Sequence, residues 1–310
     1  MKANRVSIVV PVYRSAQSLP ELIGRLFNVL APAYPGFEII LVDDCSPDGS
    51  WDVLKSLKTQ YGEPLKIVHL LFNRGQHNAI LCGFSRVTGD VVVTMDDDLQ
   101  NPPEEIPKLI EAIEKGFDLA IGAYDAKKHG SFRNVLGYTV DTVQRHIFGL
   151  PRDFQLTSFR AASRQVVDQV NHMGGAFPYI TCMLFSNAAT YTNVFVQHHP
   201  RQYGSSSYNF KKGLRLLANL LLSYSNYPLY GVGSLCVGAF LFCTIFAGRT
   251  LYDLAAYGKS VPGWASTILI LTGFSALILF SLLIVLLYIV RINQQLTRTR
   301  VNYAIGDMYE

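Results

Sequence analysis

The sequence predicts an α/β domain with a mostly parallel, helix-covered sheet, followed by an amphipathic juxtamembrane helix and two transmembrane helices. Three observations predict it. Apolar, β-branched runs alternate with helical periodicities over residues 6–122. The polar clusters of that region fall where the apolar runs end. Two stretches near the C-terminus are long, apolar and uncharged. The chain has 310 residues, which suits one large domain with an appendage. Only 16% of residues are charged, against about 25% in typical soluble proteins, and that deficit points to a membrane.

The expected strands are Val6–Val12, Phe37–Val42, Leu65–Leu70, Asp90–Met95 and Asp118–Gly122. Helices are expected from a Ser18 cap to about Leu30, after Ser50, from about His77 to Arg86, and from Pro103 to about Lys115. Such an alternation packs helices on both faces of a parallel sheet and leaves ligands at the carboxyl ends of the strands. The polar groups at those ends are Pro11–Tyr13, Asp43–Asp44, Asn73–Gln76 and Asp96–Gln100. Further on, Gln155–Arg160 is expected as a short strand, followed by a helix around Gln165–Val170 and a strand over Tyr191–Val196.

The triplet Asp96-Asp97-Asp98 is the chemical signal. Adjacent carboxylates repel, and a hard cation such as Mg²⁺ or Mn²⁺ compensates them. Mg²⁺ is commonly bound by one or two carboxylates together with substrate phosphates. No G-x-G-x-x-G follows the first strand and no Walker motif occurs, so a metal is the natural way to neutralise a diphosphate here. The net charge of +4 is too small to indicate nucleic acid. The five cysteines are scattered without metal-site spacing, as expected of reduced thiols.

Residues 209–227 combine Lys211, Lys212 and Arg215 with a leucine face, the pattern of a helix lying on a membrane surface. Residues 228–290 then read as a two-helix transmembrane hairpin, with spans at about 230–247 and 264–290, and residues 291–310 as a cytosolic tail. Basic flanks on both sides of the hairpin place the 1–208 domain and both termini in the cytosol. The N-terminus shows no signal-peptide core. The expected location is therefore a multi-pass plasma (inner) membrane protein in contact with membrane lipids.

Several segments together resemble the family 2 glycosyltransferases of the GT-A fold, in the branch that makes polyprenyl-phosphate sugars. They are Val9–Tyr13, Val42–Ser50, Asn73–Gln76, Met95–Glu104, Ser158–Arg160 and Arg201–Ser205. The resemblance implies a nucleotide-sugar donor, a UDP-sugar favoured, and a polyprenyl phosphate acceptor. It implies that Asp96, Asp98 and Gln100 hold the metal and donor diphosphate. Pro11, Tyr13, Asp43 and Asn73 belong to the nucleotide-sugar site, and Arg133 and Arg201 contact phosphates. Two departures stand out. Arg14-Ser15-Ala16 replaces the usual polar-acidic continuation after the first motif, and Ser158 stands where some relatives carry an acid.

The second departure fits the acceptor. A phosphomonoester with a second pKa of about 6 is already anionic at neutral pH and needs no strong base. The expected reaction is an in-line, inverting displacement serving cell-envelope glycan modification. Two alternatives stay open: transfer to a sugar hydroxyl in polysaccharide synthesis, and a non-catalytic membrane component with a degenerate transferase domain. Homo-oligomerisation is also open.

Overall fold

A computed structural model describes residues 5–124, 140, 142–147, 149–151, 154–173, 178–200, 217–218, 221, 225, 227–257, 263–297 and 303–310. The chain divides into two compact units, Met1–Phe210 with Arg298–Glu310, and Lys211–Thr297.

The first unit is built on one eight-stranded sheet. Its strands are β1 (Arg5–Val12), β2 (Gly36–Asp43), β3 (Leu65–Leu70), β4 (Val91–Thr94), β5 (Leu119–Ala123), β6 (Arg160–Ser163), β7 (Tyr191–Phe195) and β8 (Ile305–Tyr309), in the order β7-β5-β6-β4-β1-β2-β3-β8. The pairs β4–β1, β1–β2, β2–β3 and β5–β7 are parallel. Strand β6 enters antiparallel between β4 and β5, and β8 closes the far edge antiparallel to β3. The helices are α1 (Leu19–Ala33), α2 (Ser50–Tyr61), α3 (Gln76–Phe84), α4 (Ile106–Glu114), α5 (Arg164–Met173) and α6 (Ile180–Asn187), with a 3₁₀ turn at Pro103–Glu105 before α4.

Strand alternation sorts the core into two layers. Ile8, Val10, Ile39, Leu41, Ile67 and Val93 face Leu22, Leu26, Leu54 and Leu109 of α1, α2 and α4. Val9, Ile40, Val42, Val68 and Val92 face Ile80, Phe84, Val166 and Met183 of α3, α5 and α6. Helix α3 lies so close to β1 that a Cβ on Gly83 would come within 2.3 Å of Val9 Cγ1.

Several local expectations are corrected. Ser18 takes the expected N-cap position of α1, where its carbonyl accepts from Leu22 N (3.0 Å), but its side chain makes no cap bond; its hydroxyl donates to the Asp97 carbonyl (2.7 Å) instead. Gly49 takes the cap position of α2, and Ser50 is the first helical residue. The strand expected over Gln155–Arg160 begins only at Arg160. Side chains occupy the backbone of the preceding stretch instead: Gln155 N donates to Asn193 Oδ1 (2.8 Å), and Asn193 Nδ2 donates back to Gln155 O (3.0 Å). Residues 291–310, expected as a cytosolic tail, contain regular structure. Helix structure continues to Thr297, and residues 305–309 form β8.

In the second unit, helices α7 (Tyr227–Tyr257) and α8 (Trp264–Thr297) extend past the expected spans. Among the described residues, one stretch is long and apolar enough to cross a membrane, Gly273–Val290 of α8, with mean hydropathy 2.7. The apolar part of α7 is the shorter Leu229–Ala239. The juxtamembrane helix expected over 209–227 falls largely outside the described residues.

At the amino edge of the sheet, buried Glu38 ties three segments together. Its Oε1 accepts from Ser7 Oγ (2.5 Å) and Thr88 N (2.5 Å), and its Oε2 pairs with Lys66 Nζ (2.8 Å). Burial pushes the Glu38 pKa up, but Lys66, Ser7 and the Thr88 amide outweigh it and hold the group below its ordinary 4.5. A depressed carboxylate stabilises the fold above the unfolded pKa and loses that contribution as pH falls through the folded one. Glu38→Gln is therefore expected to lower stability by about 2 kcal/mol at pH 7. The difference should be smaller at acid pH, shrinking as pH falls below the ordinary 4.5 and through the lowered folded value. Denaturant unfolding of the detergent-solubilised chain at neutral and at acid pH checks this.

Candidate active site

The carboxyl ends of β4, β1, β2 and β3 lie side by side, and the sheet reverses direction of growth between β4 and β1. Ligands of open α/β sheets bind at such a switch point. The turns after β1, β2 and β4 each hold a non-glycine residue in the left-handed region: Arg14 (φ 58°), Cys45 (φ 56°) and Leu99 (φ 60°). They are the three described non-glycine residues with positive φ, and strain of this kind concentrates at functional sites.

Strand β4 delivers the acidic triplet to this edge. Both oxygens of Asp96 are engaged by neutral donors, Oδ1 by Gln76 Nε2 (2.6 Å) and Oδ2 by Ser158 Oγ (2.5 Å). Burial raises the Asp96 pKa and the Asp98 charge adds to it, while Ser158, Arg160 and Gln76 oppose the rise. Asp97 turns the other way. Its Oδ2 accepts from Tyr13 N (3.1 Å) and Ser15 Oγ (2.5 Å), so it ties the β1–α1 loop to the triplet. Burial pushes its pKa up to about 7. Asp98 is 9% exposed, and its Oδ1 accepts from Gln100 N (3.1 Å).

Behind the triplet stands Arg160, buried on β6 opposite Thr94. Its guanidinium donates to Thr94 Oγ1 (3.2 Å) and Thr181 Oγ1 (2.9 Å), and burial lowers its pKa. Burial, with the Arg160 charge adding, pushes neighbouring His77 down to about 4, so that ring is neutral at physiological pH. On the far side of the turn, Gln100 O accepts from His199 N (2.8 Å), and the His198 ring stacks on Tyr124 at 4.2 Å. The Tyr124 hydroxyl donates to buried Asn101 (2.7 Å).

The remaining strand ends are organised by carboxylates. Asp44 accepts from the Arg74 and Gly75 amides (2.7 and 2.8 Å), which shapes the loop bearing exposed Asn73; Gly75 adopts φ +86° there. Asp48 accepts from Ser50 N (3.2 Å) and Oγ (2.6 Å). Asp43 is fully buried, bonded to His69 Nδ1 (2.7 Å) and to the Ser46 amide. Pro11 is buried, whereas Tyr13 is 42% exposed, with the Arg14 guanidinium 5.3 Å from its ring centroid.

The fold thus brings Asp96, Asp98, Gln100, Pro11 and Tyr13 to the β4–β1 switch, with Asp43 and Asn73 at the neighbouring ends of β2 and β3. Arg133 and Arg201 lie outside the described residues. Sequence reasoning noticed Gln76 and Ser158 without assigning them to Asp96. Among the described residues no three His, Cys, Asp or Glu side chains form a metal cage. Two hard carboxylates in a partly buried, electronegative turn fit an open Mg²⁺ or Mn²⁺ site that phosphate oxygens complete.

The family model for glycosyl transferase family 2 matches residues 7–177. The chain is a family 2 glycosyltransferase. Relatives of this glycosyltransferase include two undecaprenyl-phosphate 4-deoxy-4-formamido-L-arabinose transferases. That of Sodalis glossinidius (strain morsitans) is 35% identical over 229 residues, 74% of this chain and 70% of the relative. That of Pseudomonas syringae pv. syringae (strain B728a) is 33% identical over 258 residues, 83% of this chain and 77% of the relative. Among solved structures, glucosyl-3-phosphoglycerate synthase from Mycobacterium tuberculosis, in complex with Mn²⁺, UDP and phosphoglyceric acid, shares the fold. Its TM-score is 0.50 at 18% identity, covering 70% of this chain and 78% of that one.

The clamp on Asp96 generates a prediction for the glycosyltransferase. Ser158→Ala and Gln76→Ala each release one Asp96 oxygen, and each is expected to weaken Mn²⁺ binding by about tenfold. Calorimetric titration measures this, with thermal unfolding unchanged from the unsubstituted protein.

Proposed function

We propose that this glycosyltransferase moves a sugar from a nucleotide-sugar donor to undecaprenyl phosphate or a similar polyprenyl phosphate at the cytosolic membrane face. The observation that carries the acceptor is the similarity to undecaprenyl-phosphate sugar transferases over some three-quarters of the chain. The donor reading is supported by the Asp96–Gln100 turn at the sheet's switch point, and by a structure of like fold that holds Mn²⁺ and UDP.

In this reading Asp96 and Asp98 hold a Mg²⁺ or Mn²⁺ ion, with Gln100 alongside, and the ion's chemistry is to neutralise the departing nucleoside diphosphate. Ser158 and Gln76 keep Asp96 in one orientation before the donor arrives. Asp97 holds the β1–α1 loop so that Pro11 and Tyr13 face the nucleotide. The basic residues Arg133 and Arg201 supply positive charge to phosphates. The acceptor phosphate attacks the anomeric carbon in line, with inversion. It arrives anionic, so the reaction does not need a strong base at position 158.

Two membrane crossings, by α7 and α8, belong to the same proposal. The support is connectivity. The chain leaves the catalytic unit before α7 and rejoins it after α8, where residues 305–309 form a strand of the catalytic sheet. An excursion that crosses the bilayer through α8 must cross it again to return. Lys211, Lys212 and Arg215 on one flank and Arg291, Arg298 and Arg300 on the other favour the cytosol for that shared side.

The test is a donor panel of UDP-sugars, a 4-deoxy-4-formamido-L-arabinose donor among them, and GDP-mannose. Each is incubated with the full chain, Mg²⁺ or Mn²⁺, and undecaprenyl phosphate. Mass spectrometry of the lipid extract is expected to show undecaprenyl phosphate carrying one added glycosyl residue, with the product lost in Asp96→Asn. Sugar found only on water-soluble acceptors or on growing polysaccharide contradicts the proposal.

A further inference from the structure

Asp43 and His69 face each other in register across β2 and β3 and form a hydrogen-bonded pair at 2.7 Å. The carboxylate is fully buried and the imidazole side chain is 25% exposed. A carboxylate only accepts, so Nδ1 supplies the proton of this bond, and in an uncharged ring Nε2 is then an acceptor. Among the described residues Nε2 has no hydrogen-bond partner, and it is not a buried atom left unsatisfied. Trp51 lies against the ring at 5.0 Å, and Tyr309 of β8 lies against Trp51 at 6.0 Å, so the imidazole is held from its side as well as from below.

The position of this pair matters. In the order β4-β1-β2-β3, His69 stands three strand intervals from the Asp96 strand. That is a lateral distance of about 14 Å. An extended nucleoside diphosphate is long enough to span these strands, so on the reading above one whose diphosphate lies at Asp96 and Asp98 can set its base at the ends of β2 and β3. We infer that His69, oriented by buried Asp43, reads the base of the donor nucleotide. Its Nε2 accepts a hydrogen bond from a ring N–H, which selects uracil or guanine over cytosine and adenine. This rests on the nucleotide-sugar reading above and deepens it. Asp43 is a positioning residue here and acts through His69, in keeping with its complete burial.

The test uses the full chain in detergent at pH 8 with Mn²⁺. The chain has two tryptophans, so a Trp264→Phe background leaves Trp51, in contact with His69, as the fluorescent reporter. UDP, GDP, CDP and ADP are titrated in turn. UDP or GDP is expected to bind at least about tenfold more tightly than CDP. In His69→Ala this difference should shrink to within about twofold while CDP affinity is unchanged. His69→Gln, whose amide oxygen also accepts, should restore part of it. In Asp43→Asn the amide donates to Nδ1, Nε2 becomes a donor, and preference should move toward CDP. Thermal unfolding establishes that each variant is folded. Unchanged base discrimination in folded His69→Ala and Asp43→Asn overturns this inference alone. Failure of all four nucleotides to bind the unsubstituted protein overturns the donor reading and this one with it.

Discussion

The structure depends on concentrated negative charge at the end of a buried strand. Val91–Thr94 carries Asp96 out of the core while the surroundings still exclude much of the water. Desolvation works against ionisation of Asp96, and so does the charge of Asp98. The neighbourhood answers with oriented, mostly neutral groups: a serine hydroxyl, a glutamine amide and, further back, the buried guanidinium of Arg160. Such an arrangement suits the divalent cation proposed above, because each part of the compensation is fixed in advance.

The same constraint explains the geometry around the triplet. Asp97 cannot share the role of its neighbours because its side chain is committed to the β1–α1 loop. That loop is joined in turn to the β2–α2 turn, through Arg14 N to Ser46 Oγ (3.1 Å) and Ser15 N to Ser50 Oγ (3.0 Å). The three left-handed residues Arg14, Cys45 and Leu99 lie in these linked turns, and each costs on the order of 1 kcal/mol or more. Strand ends that adjoin across the sheet are thereby locked into one connected rim.

Much of this was legible in the sequence, for a physical reason. Strands β1 to β5 are mostly apolar runs, broken by Ser7, Glu38, Lys66 and His69, because a parallel sheet covered on both faces leaves little room for a polar face. Their polar ends stood out against that background, and Asp96, Asp98 and Gln100 were picked out as candidates that way. What escaped were features decided by distant partners. Ser158 and Asp96 are 62 residues apart, and only β6 pairing with β4 brings them together. Ser18 had the look of a cap, but the Asp97 carbonyl claims its hydroxyl across 79 residues. Strand β8 contains Gly306 and Asp307 and has no strand signal of its own; the open edge of β3 makes it a strand. Asp43 was expected to touch the nucleotide, and its burial beneath His69 depends on a cross-strand register that no local pattern reveals.

The central claim is that Asp96 and Asp98 hold the donor's diphosphate through a divalent cation at the end of β4. The most direct measurement is electron–nuclear double resonance on the Mn²⁺-loaded full chain with a nucleoside diphosphate bound. The account predicts ³¹P hyperfine coupling from the diphosphate, lost with the bound Mn²⁺ in Asp96→Asn and Asp98→Asn. Mn²⁺ that binds without phosphorus coupling, or whose signal both substitutions leave untouched, would contradict it.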